Sequence, residues 1–573
     1  MSSLAGTSIE FLHKLQLEKL IALTRPVHFV DGACALAALY ALVKAIHIAR
    51  RRLKTTSLRG PASPSFVFGV GKKLVPATEA AVQYEAWAEE YGAVYEIPST
   101  LGQRRIVLCD PRAIAHFYAR ETWTYVLTPF DMIVTEIIVG KGLLWAQGES
   151  HQRRVSHSVF HARGSTHDMY RQRKALTPAF SNAAIRRLTS VFYDSAYKAK
   201  GIWDSIIEST DGDSAIIEVQ TWMSHISLDT IGIAGFSHDF GSLDGKPTSV
   251  TEIFDSFGKS KRSALNTSIF LLAQSIPILA KTPTSRSKLV KKLNKSVGEI
   301  TDVLLARTRK EKEAGVIGDK DEKSIIGLLI KAESEDAELH LSPEEVRAQA
   351  KVLLLAGYET MSISLTWALI EIALKPEVQT KLREELLEFG ADPTYDQLSS
   401  SLPYLDAVVH EILRLHPPVP EFRRVAAEDD VVPLSEPIRT KSGQLVDHIS
   451  VAKGSNLVIS IACVNRSAAI WGSDAKEFKP ERWLDEEGIP RKAKEIQGHR
   501  HLLTFVDGPR TCLGKGFAIA EFKTVLLVLV KNFVFEMRDG PETKIETGRG
   551  VLPRPKVAGE EGARVPLRVR RFE

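Results

Sequence analysis

Phe505-Val-Asp-Gly508-Pro-Arg510-Thr-Cys512-Leu-Gly514 is the stretch on which the reading of this chain turns. It is a hydrophilic loop, rich in Gly and Pro, that carries one cysteine and runs into an apolar helical pattern from Lys515 to Val530. Gly508 and Gly514 can take backbone conformations that residues with a Cβ avoid, so the loop can fold tightly around the cysteine. Leu513 and Gly514 open the helix, where a thiolate meets a favourable dipole and free N–H donors. Phe505 can shield the sulfur from water, and Arg510 can pair with an anionic group. A lone cysteine before a helix is more often a buried small hydrophobe. The complete spacing Phe-x-x-Gly-x-Arg-x-Cys-x-Gly argues instead for a soft metal ligand, with haem iron one candidate.

Two further motifs lie upstream. The longest helical pattern runs from Ser342 to Leu374. Ser342 caps it, Pro343 suits its first position, Glu345 completes a capping box, and Pro376 stops it. About 32 residues at ~1.5 Å each span a whole domain. Its middle is apolar all round, yet it contains Ala356-Gly357-Tyr358-Glu359-Thr360. A polar pair inside a buried helix needs a reason. Gly357 can let a ligand approach or open the hydrogen-bond ladder, Thr360 can bond a water or dioxygen, and Glu359 can feed protons. The plainer alternative is a Thr bonded back to its own helix carbonyl. Further on, Glu411 and Arg414 share one face of a helix from Leu402 to His416 that Pro417-Pro418 ends, and Pro480-Glu-Arg482-Trp483 follows.

Together these stretches resemble the cytochrome P-450 superfamily of haem-thiolate monooxygenases, over nearly the whole chain after about residue 60. The cysteine loop matches the superfamily's ligand loop, the Gly357–Thr360 motif its oxygen-activation helix, and Glu411, Arg414 and Arg482 its Glu-x-x-Arg and second arginine. Met361 replaces the Thr or Ser that commonly follows Thr360, with Ser362 next. The resemblance implies a mainly α fold with a small β region, and heme b (iron protoporphyrin IX) between the central helix and the Cys512 loop. Cys512 would be the metal ligand, with Phe505 and Arg510 beside it. Arg424, Arg173 and His151 would reach the haem propionates, and Glu411, Arg414 and Arg482 would be structural support. The implied reaction is hydroxylation or epoxidation of a small lipophilic molecule. Electrons would come from NADPH-cytochrome P-450 reductase, with cytochrome b5 an optional second donor. A haem-thiolate isomerase or lyase, needing no reductase, stays open as an alternative. The stretches Trp222 to Phe240 and Leu353 to Trp367 are similar to fungal members of secondary metabolism. By analogy alone the substrate is a terpenoid or polyketide intermediate. Substrate contacts are expected among Tyr125 to Glu136, Phe236 to Ser268 and the turn near Gly548.

Composition agrees with one large globular unit plus an anchor. Of 573 residues, 44% are apolar and 25% charged, ample for a core. The net charge of +5 gives no sign of a nucleic-acid binder. Cys34, Cys109, Cys463 and Cys512 form no CxxC and no framework, which argues against a disulfide scaffold or a zinc site. Phe29 to Ile48 is a mostly apolar run long enough to cross a bilayer, followed by Arg50-Arg51-Arg52 and Lys54. Residues 1–55 are therefore read as an N-terminal region with a membrane anchor, and 56–573 as the enzyme. The resemblance implies an endoplasmic reticulum membrane, with the catalytic domain facing the cytosol. Thr78 to Tyr91 reads as a helix. Ala93 to Ile97 and Arg105 to Cys109 read as a hairpin, Asp430 to Asn465 as short strands, and Val565 to Arg571 as an edge strand.

One region breaks the pattern. His151-Gln-Arg-Arg begins a helix and Arg173-Lys174 continues it, but Val155 to Gln172 intervenes and carries Gly164-Ser-Thr, a poor helix interior. Removing those 18 residues restores His-x-x-x-Arg, and so does a cut at 153–170. The segment reads as a translated intron with edges open by two residues. If it is genuine, a non-functional relative is the third reading.

Overall fold

The computed structural model describes residues 29–75, 77–147, 168–259, 263–314, 324–334, 337 and 339–572. His151 and most of the irregular segment fall outside them. The described chain divides into two compact units, one up to Thr56 and one from Ser57 on.

In the first unit, one helix spans Phe29–Lys54. Its apolar Leu36, Leu39, Leu42, Val43 and Ile46 are exposed, and Arg51, Arg52 and Lys54 fill its last turn. Among the described residues, the helix long and apolar enough to cross a membrane is Pro343–Leu374. Two-thirds of its most apolar window is buried inside the protein, which makes it a core helix. The segment expected to cross, Phe29 to Ile48, is not the one that meets this criterion.

The second unit is mainly helical, with small sheets. Strands β1 (Val94–Pro98) and β2 (Arg104–Leu108) pair antiparallel, joined by a tight turn at Thr100–Gly102 in which Leu101 is left-handed. The first sheet has the order β1-β2-β8-β5-β3, where β3 is Tyr125–Val126, β5 Glu421–Ala426 and β8 Asn456–Ser460. Strands β6 (Asp430–Arg439) and β7 (Leu445–Val451) form a hairpin. The expected run of strands to Asn465 stops earlier. Ser460 accepts from the Cys463 N–H and caps a helix, Ile461–Arg466, a switch that apolar residues alone do not signal.

The C-terminal strand is also a correction. β12 (Pro566–Arg571) is not an edge but the middle of a three-stranded sheet, between β4 (Ser214–Glu218) and β9 (Phe533–Met537). Its alternation of buried Leu567 and Val569 with exposed Arg568 and Arg570 reports one wet face. It carries no information about lateral neighbours.

Two hydrophobic cores result, and the central helix Pro343–Leu374 runs through both. Val346, Ala350, Leu353, Leu354 and Tyr358 belong to one core, and Met361, Leu365, Leu369 and Ile372 to the other. The changeover falls at Glu359 and Thr360. Both N-terminal signals of this helix are realised. Ser342 Oγ accepts from the Glu345 N–H, and Glu345 Oε2 accepts from the Ser342 N–H at 2.8 Å. The helix Lys515–Asn532 also spans both cores, through Phe517 and Ala520 to one and Phe522 to Val530 to the other.

Candidate active site

The cysteine loop is held by its own backbone. The Cys512 N–H donates to the Phe505 carbonyl at 2.9 Å, and Thr511 Oγ1 reaches the same oxygen. Gly508 sits at φ +68 with its Cα against the Tyr118 carbonyl, so a residue with a Cβ fits neither the torsion nor the space. Phe505 is buried. The Cys512 side chain has accessible surface, with protein atoms dense around its sulfur. That enclosure pushes its thiol up, while the Gly514 N–H, Arg173 and Lys515 pull it down. The net direction is upward, against the expectation from the helix N-terminus alone.

Three guanidinium groups converge here. Arg424 is buried and paired with Glu121, which is fully buried. Arg510 donates to the Ala146 carbonyl. Burial lowers its pKa to about 10, with Arg424 and Arg173 adding to the effect and Glu121 opposing it. Arg173 lies close enough to Cys512 for each to shift the other. Glu121 is the carboxylate that acts on both Arg424 and Arg510. The Nε atoms of Arg424 and Arg510 and the indole N–H of Trp145 are buried with no hydrogen-bond acceptor among the described residues. Such donors in a positively charged, enclosed setting call for anionic acceptors. The two carboxylates of a haem above a cysteine ligand meet that demand, so the residues fit the group. Glu121 and Trp145 were not legible as part of this cluster, because no local spacing marks them.

On the central helix, Ala356 is exposed, and Leu355, Gly357 and Thr360, one turn on from Ala356, are half-buried. Thr360 Oγ1 donates to the Ala356 carbonyl at 2.7 Å. The back-bonded alternative is therefore the geometry seen, and it leaves the hydroxyl oxygen free to accept. Gly357 does not open toward a ligand. A Cβ there would come within 2.7 Å of Ile231, so the glycine lets the helix Val219–Phe236 pack closely. Glu359 is buried and turned toward the hairpin of β10 (Ile545–Gly548) and β11 (Arg554–Val557), where its carboxylate accepts from the Leu552 N–H at 3.1 Å.

Glu411, Arg414 and Arg482 come together as the sequence spacing implies. Arg414 and Glu411, on the helix Pro403–Leu415, form a bidentate pair at 2.8 Å with both side chains fully buried. Arg482 approaches Glu411 at 3.6 Å and is held by Asp474 at 3.0 Å. The Trp483 indole N–H and the Lys479 N–H complete the shell of Glu411. Arg414 also donates to the Asn465 carbonyl at 2.9 Å, and Asn465 bonds Thr504 and the Leu503 N–H. The network therefore ends at the residues that lead into Phe505 and Cys512.

These features point to a known family, and comparison with known proteins agrees. Residues 60–558 match the family described as cytochrome P-450. The chain belongs to the cytochrome P-450 family. It is an enzyme of the monooxygenase class, and the family carries haem, draws electrons from redox partners and acts on small molecules. Cytochrome P-450 monooxygenase claP of Ampulloclitocybe clavipes is 59% identical over 548 residues, covering 95% of this chain and 98% of the relative. Cytochrome P-450 monooxygenase claQ of the same fungus is 58% identical over 539 residues, covering 93% and 97%. Cytochrome P-450 monooxygenase 205 of Postia placenta is 35% identical over 558 residues, covering 94% and 97%.

The flanks of the irregular segment dock on one residue. Gln349 accepts from the Leu143 N–H at 3.2 Å and donates to Gln172 at 2.6 Å. Gln172 is buried and donates to Glu345 at 2.9 Å, and Arg171 pairs with the same carboxylate. A cut that removes Gln172 would strip this buried anchor. We therefore move the proposed boundary from 155–172 to 153–170, which keeps Arg171 and Gln172 and still gives His151-Gln-Arg171-Gln-Arg173. A chain lacking 153–170 is expected to incorporate haem at least as well as the long form, and mature transcripts should lack the segment. Haem loading that falls in the short form, or a mature message that retains the segment, would refute it.

Proposed function

We propose that this cytochrome P-450 inserts oxygen into a small lipophilic molecule of fungal secondary metabolism, a terpenoid or polyketide intermediate. Cys512 is the iron ligand and the cofactor is heme b. The observation that carries the reading is the set of three arginines, Arg173, Arg424 and Arg510, gathered near Cys512, with the buried Glu121 paired to one of them. When bound, a thiolate-ligated haem activates dioxygen. The chain supplies the rest. Arg173, Arg424 and Arg510 would hold the carboxylates of the cofactor. Phe505 keeps water from the sulfur. Thr360 offers an acceptor beside the exposed Ala356, and Glu359, the next acid on the helix, is the proposed source of protons. His151 is carried as a further propionate contact from the sequence pattern alone.

The substrate side is apolar. Phe130, in the first region expected to touch substrate, on the helix Pro129–Val139, meets Phe270 on the helix Ala264–Ala273 edge-on at 5.6 Å, just beyond the end of the second region at Ser268. Leu265 on that second helix, Phe66 and Ile278 are exposed, and with the apolar, basic-ended helix Phe29–Lys54 they support attachment to the endoplasmic reticulum membrane. Cell fractionation tests this, since a full chain found wholly in the soluble fraction would remove it. NADPH-cytochrome P-450 reductase, with cytochrome b5 as an optional donor, is the proposed electron source.

Thr360→Ala tests the reaction class. The expected result is intact haem, product per NADPH lower on the order of 10-fold, and a matching rise in peroxide, because a positioned proton-transfer partner is gone. Turnover that needs no NADPH, with coupling indifferent to Thr360, would instead indicate a haem-thiolate isomerase or lyase.

A further inference from the structure

The acid next to Thr360 does not face the side that Thr360 faces. Consecutive residues of a helix point about 100° apart, and here the difference sends Glu359 into a separate buried cluster. Its Oε1 accepts from the Leu552 N–H at 3.1 Å and lies 3.6 Å from Arg554 Nη2. Arg554 is buried and stacks over Phe254 at 5.0 Å, and its Nε and Nη2 find no hydrogen-bond acceptor among the described residues. The hairpin tip closes over the carboxylate. A Cβ on Gly550 would come within 3.1 Å of both Glu359 Oε1 and Arg554 Nε. Arg286, from the helix Ser285–Glu313, reaches the Gly550 carbonyl at 3.5 Å.

Charged and titratable groups face this pair from several elements. Arg554 comes from β11 and Arg286 from the helix Ser285–Glu313. Tyr358 from the central helix interacts with Arg554, and Asp255 acts on Arg554 from the helix Ser249–Lys259. Burial pushes the Glu359 carboxyl up, and Arg554 with the Leu552 and Val551 N–H groups pulls it back. For Arg554 the effect of burial is outweighed, first by Tyr358 and then by Glu359, so it stays a cation. To act toward Thr360, Glu359 must leave Leu552 and Arg554.

We propose that Arg554 is a positioning residue, which with the Leu552 N–H docks Glu359 against the C-terminal hairpin and so governs when that acid serves the proton path. This deepens the monooxygenase reading and rests on it. Nothing in the local sequence pairs Glu359 with a residue on a hairpin almost at the other end of the enzyme unit.

Three variants test it: Arg554→Leu, Arg554→Lys and the double Arg554→Leu/Glu359→Gln. Two readouts are used. One is the pH profile of product against peroxide in the haem-loaded enzyme. The other is the infrared carbonyl stretch of a protonated carboxylic acid at neutral pH, which needs no turnover. In Arg554→Leu the midpoint of the profile is expected to move up by about 1–3 pH units, as for a carboxylate that loses an adjacent cation. A carboxylic-acid band should appear and be absent from the double variant, and Arg554→Lys should return both readouts toward the parent. A residue that only packs would lower stability and activity and leave the midpoint and the band unmoved, which overturns the proposal. If the parent enzyme shows no NADPH-dependent turnover, the monooxygenase reading fails separately, and the infrared band still decides whether Arg554 sets the state of Glu359.

Discussion

Replacing Cys512 with His is expected to take turnover to background and to remove the red-shifted carbon-monoxide band of the reduced protein, even where haem is retained. The argument rests on what else could ligate. Of the other described cysteines, Cys109 and Cys463 are buried and interact with each other, and Cys34 lies in the N-terminal unit. As the proposed iron ligand, the Cys512 thiol would lose its proton to the metal on binding and bring the charge of a thiolate. Imidazole can still bind iron but cannot supply the charge of a thiolate. An unchanged band in Cys512→His would show that another residue ligates.

Glu411→Ala should be the most destabilising single change outside the cysteine loop. It removes the bidentate partner of a fully buried Arg414 and strands the Trp483 indole N–H. Breaking a buried pair from one side costs about 3–5 kcal/mol, against a total stability of about 5–15 kcal/mol for a typical domain. The expected outcome is little soluble haem protein and a large fall in Tm. Glu411→Leu combined with Arg414→Leu should recover part of the loss, because no buried charge is then left alone. The damage should reach the cysteine loop, since Arg414 supports Asn465 and Asn465 holds Leu503 and Thr504. A Glu411→Ala protein with normal Tm and haem content would sink this account.

Local chemistry was readable before the structure was known. The capping box of Ser342 and Glu345, the stop before Pro376 and the pairing of Glu411 with Arg414 are contacts between near neighbours, and short spacing encodes them. What escaped was tertiary. Glu121 balances Arg424 from 303 residues away, and Leu552 meets Glu359 across 193. Gly357 looked like an opening for a ligand, and Ile231 of another helix fills the space instead. A glycine announces closeness without saying to what. The alternation of Val565 to Arg571 likewise told which face was wet and not which strands would lie on either side.

That last strand has a consequence for how the polypeptide is made. Ser214–Glu218 is synthesised early, and its partner Pro566–Arg571 emerges from the ribosome only after more than half of the chain has followed it. Phe533–Met537 waits for the same partner. During translation both strands present unpaired backbone, and exposed edges of this kind recruit other chains. Closing the sheet is then a late, long-range event, slow because of the loop it must close. Messages truncated before Pro566 would release chains with two orphan strands, so such fragments belong with the aggregates and the degradation machinery.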